Sequence, residues 1–337
     1  MLNKRIVLAA RPSGEPRESD FQLVEGDIET MASGDVLVEV LWVSVDPYMR
    51  GRMNDAKSYI EPFQIGQTIQ AGAVGRVLRS NSKDFADGDF VEGMLGWQTC
   101  ALASAKNLRK LDASLAPVET ALGVLGMPGM TAYFGFLDIC QPKPGETVVV
   151  SGAAGAVGSY VGQIARIKGC RVIGIAGGPA KCDVLKNEFG FDAAIDYKNS
   201  NVASELRALC PKGIDCYFDN VGGAITDAVF PQLATFARVS VCGQISHYNN
   251  TAVETGPRLL SYVLVKQARV EGFIVTRYMN RAKEFFADMV PWVRDGRIKY
   301  RQTVVEGIEN APRAFIGMLR GENTGKMLVK VALDRLA

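Results

Sequence analysis

The chain has 337 residues, which at roughly 150 residues per domain predicts two domains and a full hydrophobic core. Lysine and arginine total 38 against 36 aspartates and glutamates, and a net charge of +2 offers no field for nucleic acid or an anionic membrane surface. Two long uncharged stretches, Thr120–Leu137 and Thr147–Ala165, each hold four glycines, and the first also holds Pro128, so neither reads as a membrane-spanning helix. The apolar run after Lys4 and Arg5 covers only Ile6–Ala10, too short for a signal peptide, and a soluble cytoplasmic protein is expected.

Along the chain, Asp35–Val45, Gly72–Leu78 and Phe90–Met94 read as strands separated by turns such as Ala86-Asp87-Gly88-Asp89. Few helical patterns intervene, so residues 1–122 are expected to form a β-rich domain. From Gly145 onward the pattern changes. Thr147–Val150, Arg171–Ala176, Ala193–Asp196, Asp215–Asp219, Arg238–Cys242 and Arg269–Ile274 read as strands, several almost continuously apolar, as when helices cover both faces of a parallel sheet. Helices are expected between them over Ala156–Lys168, Ala180–Phe189, Val202–Leu209 and Ala224–Ala234. Strand–helix repetition of this kind gives a doubly wound α/β domain over residues 123–300. In residues 301–337, Ala311–Leu319 suits a helix, Gly321–Gly325 a turn and Met327–Ala332 a strand. That strand has no sheet of its own, so the segment is expected to return to the β-rich domain, with the α/β domain inserted.

Seven scattered cysteines without a C-x-x-C spacing argue for reduced thiols. His247 is the only histidine, so no metal site and no Ser–His or Cys–His engine is expected, and it reads as a loop histidine beside a site.

The strongest local signal is Val148–Ser151 followed by Gly152-Ala153-Ala154-Gly155-Ala156-Val157-Gly158 and an amphipathic stretch. The spacing is G-x-x-G-x-x-G, a departure from the usual G-x-G-x-x-G, but the physics is retained. Small residues let the strand turn sharply into a helix whose N–H groups meet a pyrophosphate, while Gly158 and Gly162 would let the helix lie close to the strand. A dinucleotide is expected here. The second strand ends in Gly177-Gly178-Pro179-Ala180-Lys181, without the carboxylate that would accept a bond from a ribose 2′-hydroxyl. Lys181 can be a solvated surface lysine or a cation for a 2′-phosphate; the missing carboxylate agrees with the second, so NADPH is favoured over NADH.

Several segments together resemble one family. They are Val45–Met53 (VDPYMRGRM), Gly123–Tyr133, the Ala153–Gly158 loop, Phe218–Gly223 (FDNVGG), Cys242–Asn249 (CGQISHYN) and Gly321–Lys326. The whole chain is similar to the zinc-independent medium-chain dehydrogenase/reductase superfamily, in the branch of leukotriene hydroxydehydrogenases, prostaglandin reductases, bacterial curcumin reductase and plant alkenal double-bond reductases. The resemblance implies a GroES-like β-rich domain carrying an inserted Rossmann domain, with the active site in the cleft between. It also implies a homodimer joined through the last Rossmann strand, here Arg269–Ile274. By matching motifs, Gly155, Ala156, Val157 and Gly158 would hold the pyrophosphate, and Lys181 and Tyr197 would meet the 2′-phosphate side. Asn220 and the Cys242–Tyr248 segment (Cys242, Gly243, Ile245, Ser246 and Tyr248) would line the ribose and nicotinamide. Phe273, Ile274 and Val275 would contact the carboxamide through backbone groups, and Asn323 would reach back from the C-terminal segment.

The zinc-dependent relatives carry a Gly-His-Glu motif that this chain lacks. Polarisation by hydrogen bonds suits an already activated acceptor such as an enal or enone. Hydride arriving at its β-carbon pushes charge onto the carbonyl oxygen, and the protein need only stabilise that oxyanion and supply a proton to the α-carbon. The expected activity is NADPH-dependent reduction of such C=C bonds, with Tyr248 and Tyr48 as candidate catalytic residues and solvent as the competing proton source. Alternatives are a quinone reductase and an NADPH-binding regulatory protein without turnover. Asn54–Gln64 and Asn249–Leu264 are expected to shape the pocket.

Overall fold

Alternation of apolar and polar residues in Asp35–Ser44 buries Val36, Val38 and Val40 on one side of a strand, which is what a one-sided antiparallel sheet requires. The computed structural model describes residues 2–28 and 30–331. Its chain falls into two units, the first reaching from the start to Leu122 and adding Gln302–Asn323 and the segment from Met327 onward. The second comprises Gly123–Arg301 and Thr324–Lys326.

In the first unit, β1 (Leu2–Leu8) pairs antiparallel with β2 (Phe21–Asp27). Around β3 (Asp35–Ser44) follow a short helix α1 (Met49–Arg52), β4 (Ala73–Ser80), β5 (Phe90–Gly93), β6 (Cys100–Ser104) and β7 (Arg109–Leu111). The second unit opens with helix α2 (Met127–Phe134) and continues β8 (Thr147–Ser151), α3 (Ala156–Ile167), β9 (Arg171–Ala176), α4 (Pro179–Asn187) and β10 (Ala193–Asp196). It goes on through α5 (Val202–Leu209), β11 (Ile214–Asp219), α6 (Gly223–Val229), β12 (Leu233–Val241), α7 (Leu260–Val265), β13 (Arg269–Gly272) and α8 (Ala282–Arg294). The chain then adds β14 (Gln302–Glu306), α9 (Ala311–Leu319) and β15 (Lys326–Lys330).

The first unit's larger sheet runs β14-β15-β3-β4-β5-β7, with β6 also on β3. Leu328, Val329 and Lys330 of β15 stand opposite Ser44, Val43 and Trp42, antiparallel. The core gathers Val38, Val40, Ile6 and Leu8 around Trp97, whose ring meets Phe315 of α9 edge-on at 6.1 Å. The second unit's sheet is parallel throughout its pairs and runs β10-β9-β8-β11-β12-β13. In order of appearance this is 3-2-1-4-5-6, with the topological switch between β8 and β11.

The structure departs from the sequence reading at several elements. The N-terminal hairpin β1–β2 went unpredicted. The expected helix to Ala234 ends at Val229, with a 3-10 turn over Phe230–Gln232, because Leu233 already pairs with Ile214 in the sheet. β12 is accordingly longer than Arg238–Cys242, and it is irregular where Phe236 takes a positive φ of 65°. β13 stops at Gly272 rather than Ile274, and β15 stops at Lys330; Ala332, placed at the end of that strand, lies outside the described residues. Helices α7 and α8 were not foreseen. Nor was α2, because glycines and Pro128 read as breakers, whereas Pro128 sits in the first turn, where its missing N–H costs nothing. Its π-helical continuation, Gly135–Cys140, presents Gly135 to the buried Phe273 ring, and any Cβ there would overlap that ring.

Candidate functional site

The carboxyl ends of the parallel strands carry most of the residues singled out above. After Ser151 the chain turns on Gly152 at φ +58°, and the Gly155 N–H donates to the Gly152 carbonyl at 3.0 Å. Helix α3 starts at once. No side chain caps it, no acidic residue lies in its first turn, and Gly155, Ala156 and Val157 are partly exposed. This end therefore offers N–H groups and a positive dipole to an anion. A Cβ on Gly158 would overlap the Gly152 carbonyl oxygen and lie 2.8 Å from Ala153 Cα, so helix and turn meet backbone to backbone. Gly162 acts differently from expectation: it makes room for the Phe191 ring rather than for the strand. Gly158→Ala should lower stability by about 1–3 kcal/mol in urea unfolding, because the clash is with backbone and outweighs alanine's better helix propensity. An unchanged midpoint would show that the turn yields.

Beside this loop lies the return segment. Gly325 N–H donates to the Ala154 carbonyl at 2.7 Å, and Gly325 bridges Gly155. Asn323 directly precedes that segment and belongs to the first unit.

At the ends of β9 and β10, Lys181 sits in the first turn of α4, half-buried. Burial, then the neighbouring Lys198 charge, lowers its amine pKa. Tyr197 and Lys198 pack against Gly177, where a Cβ would find both side chains at 3.0 Å. Sequence reasoning missed Lys198 as a second cation. It also missed Asp196, whose carboxylate accepts from Asn199 Nδ2 at 2.6 Å, from the Gly178 N–H at 2.7 Å and from the Lys198 N–H at 3.1 Å. These bonds hold the carboxyl below its ordinary pKa, with the Asn199 bond the largest cause.

The switch point is organised by Asp219, another residue whose importance the sequence did not reveal. It is 1% exposed. Its Oδ1 accepts from Ser151, Tyr217, Val221 N and Gly222 N, and its Oδ2 accepts from Thr226 at 2.6 Å and Gln244 at 3.2 Å. Its carbonyl takes the N–H groups of Cys242 and Gly243. One buried carboxylate thus ties the ends of β8, β11 and β12 together. Asn220 is held by its amide on the Ser151 carbonyl at 2.7 Å. Ile245 N–H and Ser246 N–H donate to the carbonyls of Asn220 and Val221, folding the segment after β12 back over the β11 turn. Tyr248 closes that fold. Its hydroxyl accepts a long 3.5 Å bond from the Gln244 N–H and would lie 3.3 Å from a Cβ on Gly243. Burial raises its pKa above the ordinary phenol value, as burial raises the Cys242 thiol to about 12. His247 pairs with Glu254 at 3.2 Å on the partly exposed surface.

Phe273 buries its ring against Phe218 and Tyr278, both at 6.3 Å, leaving backbone groups of Phe273, Ile274 and Val275 beyond β13. So Gly155–Gly158, Lys181, Tyr197, Asn220, Cys242, Gly243, Ile245, Ser246 and Tyr248 all follow the carboxyl ends of strands of one sheet. The cradle that a Cβ would fill, the uncapped helix and the paired lysines fit a dinucleotide carrying an extra phosphate.

Tyr48 stands in the first unit at the start of α1, half-buried. Burial raises its pKa well above the ordinary value, Asp46 adds to the rise, and Arg52 opposes it. Among the described residues no group of three or more His, Cys, Asp or Glu side chains could hold a metal ion, and no helix is long and apolar enough to cross a membrane.

Two family profiles match the chain: an N-terminal domain of oxidoreductase over residues 4–111 and a zinc-binding dehydrogenase over residues 156–294. The chain is 50% identical to a putative NADP-dependent oxidoreductase of Bacillus subtilis (strain 168), covering 98% of both. It is 48% identical to an NADPH-dependent curcumin reductase of Escherichia coli (strain K12), again over 98% of each. Among solved structures, CurA from Vibrio vulnificus in complex with NADPH superposes with a TM-score of 0.95 at 48% identity, covering 98% of this chain and 99% of that one.

Proposed function

Because this chain belongs to the zinc-independent branch of the medium-chain dehydrogenase/reductase family, we propose that it reduces the C=C bond of α,β-unsaturated aldehydes and ketones. It is an NADP-dependent oxidoreductase acting on activated C=C bonds, and its cofactor is NADPH. The carrying observation is the switch-point edge, where the glycine cradle and the Lys181–Lys198 pair stand on the same sheet end as the Tyr248 phenol.

NADPH, when bound, supplies the hydride that reaches the β-carbon. The backbone of Gly155–Gly158 at the start of α3 would hold the pyrophosphate, with Asn323 beside Thr324–Gly325 assisting it. Lys181 and Tyr197 would hold the 2′-phosphate. Asn220, Cys242, Gly243, Ile245 and Ser246 would place the ribose, and the backbone of Phe273–Val275 the carboxamide. Tyr248 is well suited to donate, since a phenol is protonated at neutral pH and burial raises its pKa further. It would orient the ribose or pass a proton toward the α-carbon, while Tyr48 donates a hydrogen bond to the carbonyl oxygen as charge collects there. In this reading residues 1–122 and 301–337 make the GroES-like catalytic domain and residues 123–300 the Rossmann domain.

The test is turnover of the purified protein with NADPH on an enone and on a quinone. Enone reduction at higher kcat/KM supports the reading; preference for the quinone, or no turnover of either, overturns it. A homodimer belongs to the same reading. β13 is the edge strand of its sheet and exposes Val270, and α7 exposes Leu260, Leu264 and Val265, an apolar surface a second copy would cover. Light scattering should give twice the chain mass; the mass of one chain would remove the dimer.

A further inference from the structure

Helix α1 carries a buried cation that the chemistry above does not use. Arg52 is only 6% exposed. Its Nε donates to the Glu61 carbonyl at 2.8 Å, its Nη2 donates to Gln70 Oε1 at 3.0 Å, and its Cζ lies 4.1 Å from the Phe63 ring centroid. Nη1 is buried without an aligned hydrogen-bond partner among the described residues. Among the described residues no carboxylate pairs with this guanidinium, and the Tyr48 phenol, four residues earlier, is its hydrogen-bonding neighbour. A buried donor left over and a buried charge left uncompensated are both costly, so the arrangement calls for an explanation.

The chemistry of the neighbour supplies one. A phenol has a single proton, and a guanidinium can only donate. Tyr133 and Tyr217 spend their protons on carboxylates, on Asp288 at 2.7 Å and Asp219 at 2.9 Å. Asp46 and Tyr59 also stand near Tyr48. Toward Arg52, however, its oxygen can only accept, and no bond donated by its hydroxyl is seen among the described residues, which leaves the proton for a substrate. We propose that Arg52 is a positioning residue for Tyr48, holding the phenol oxygen as an acceptor so that its hydroxyl proton points to the carbonyl oxygen of the enone. The proposal rests on the enone-reductase reading and adds a residue to it. Tyr48 keeps its proton throughout. As charge collects on the carbonyl oxygen, the guanidinium tightens onto the phenol oxygen, each bond of the chain strengthening the next.

A double-mutant cycle tests this. Arg52→Met should lower kcat on an enone by about 10- to 100-fold, with KM changed less. In the Tyr48→Phe background the same substitution should change kcat by less than about twofold. A second readout uses cofactor-free protein labelled with ¹³Cζ-tyrosine. There the Tyr48 resonance, identified by its loss in Tyr48→Phe, should move in Arg52→Met. Equal losses of kcat in both backgrounds, or an unmoved resonance, would overturn the proposal. If Arg52→Met does not fold, Arg52→Lys, which loses the fork geometry, is taken through the same measurements and judged by the same outcomes. Failure of the enone reading shows separately, as a wild-type protein that reduces no enone; the resonance then decides the role of Arg52 on its own.

Discussion

Tyr248→Phe should reduce kcat for an enone by about 10- to 1000-fold while changing NADPH affinity little. The substitution keeps the ring and removes only the hydroxyl. That hydroxyl is held where the chain folds back over Asn220, close to the Gly243 backbone and reached by one long bond from the Gln244 N–H. An acceptor role toward Gln244 leaves its own proton available. The sign of the pKa shift matters here. Burial raises the phenol's pKa, so the donor form persists from neutral into alkaline pH, and loss of the donor should not limit the rate below about pH 10. Single-turnover kinetics of the variant against the parent are the measurement. A rate within about twofold would make Tyr248 a wall of the pocket and pass the proton to solvent or Tyr48.

Lys181→Ala should weaken NADPH by about 10- to 100-fold and leave NADH within about twofold. The physical basis is a pair of amines: burial, then the Lys198 charge, lowers the Lys181 pKa, and a dianion held between the two would offset that repulsion. Lys181 is the half-buried member, so its contact with a phosphate is the less screened by water. The nearby carboxylate, Asp196, is turned onto the Gly178 and Lys198 N–H groups and the Asn199 amide and is occupied there. Dissociation constants for the two cofactors, measured by fluorescence titration, decide the matter. An equal loss for both would falsify a phosphate role for Lys181.

The strand–turn–helix unit Thr147–Ile167 was legible from the chain alone because its determinants are local. Apolar residues at consecutive positions make a buried parallel strand, and small residues at fixed offsets make the turn. The same holds for the alternation of strands and helices that follows, and for the absence of a carboxylate at the end of β9 that pointed to NADPH. Boundaries failed where a distant partner decided them. Leu233 left its expected helix because Ile214 was available to pair with it, and Pro128 started α2 instead of breaking one. Site residues failed for the same reason. Asp219 reads as one acidic residue in a strand until folding brings Ser151, Thr226 and Gln244 onto its two oxygens. Gly162 reads as room for the helix to approach the strand until Phe191 arrives against it from the loop before β10. Arg52 carries no separate signal within VDPYMRGRM until Glu61, Phe63 and Gln70 enclose it. Periodicity and turn chemistry are properties of neighbours in the chain, so the sequence by itself determined the fold class, the glycine cradle and the cofactor. Burial and hydrogen-bond partnership are properties of neighbours in space, and only the tertiary structure decided which charges are enclosed and which tyrosine protons remain to be given away.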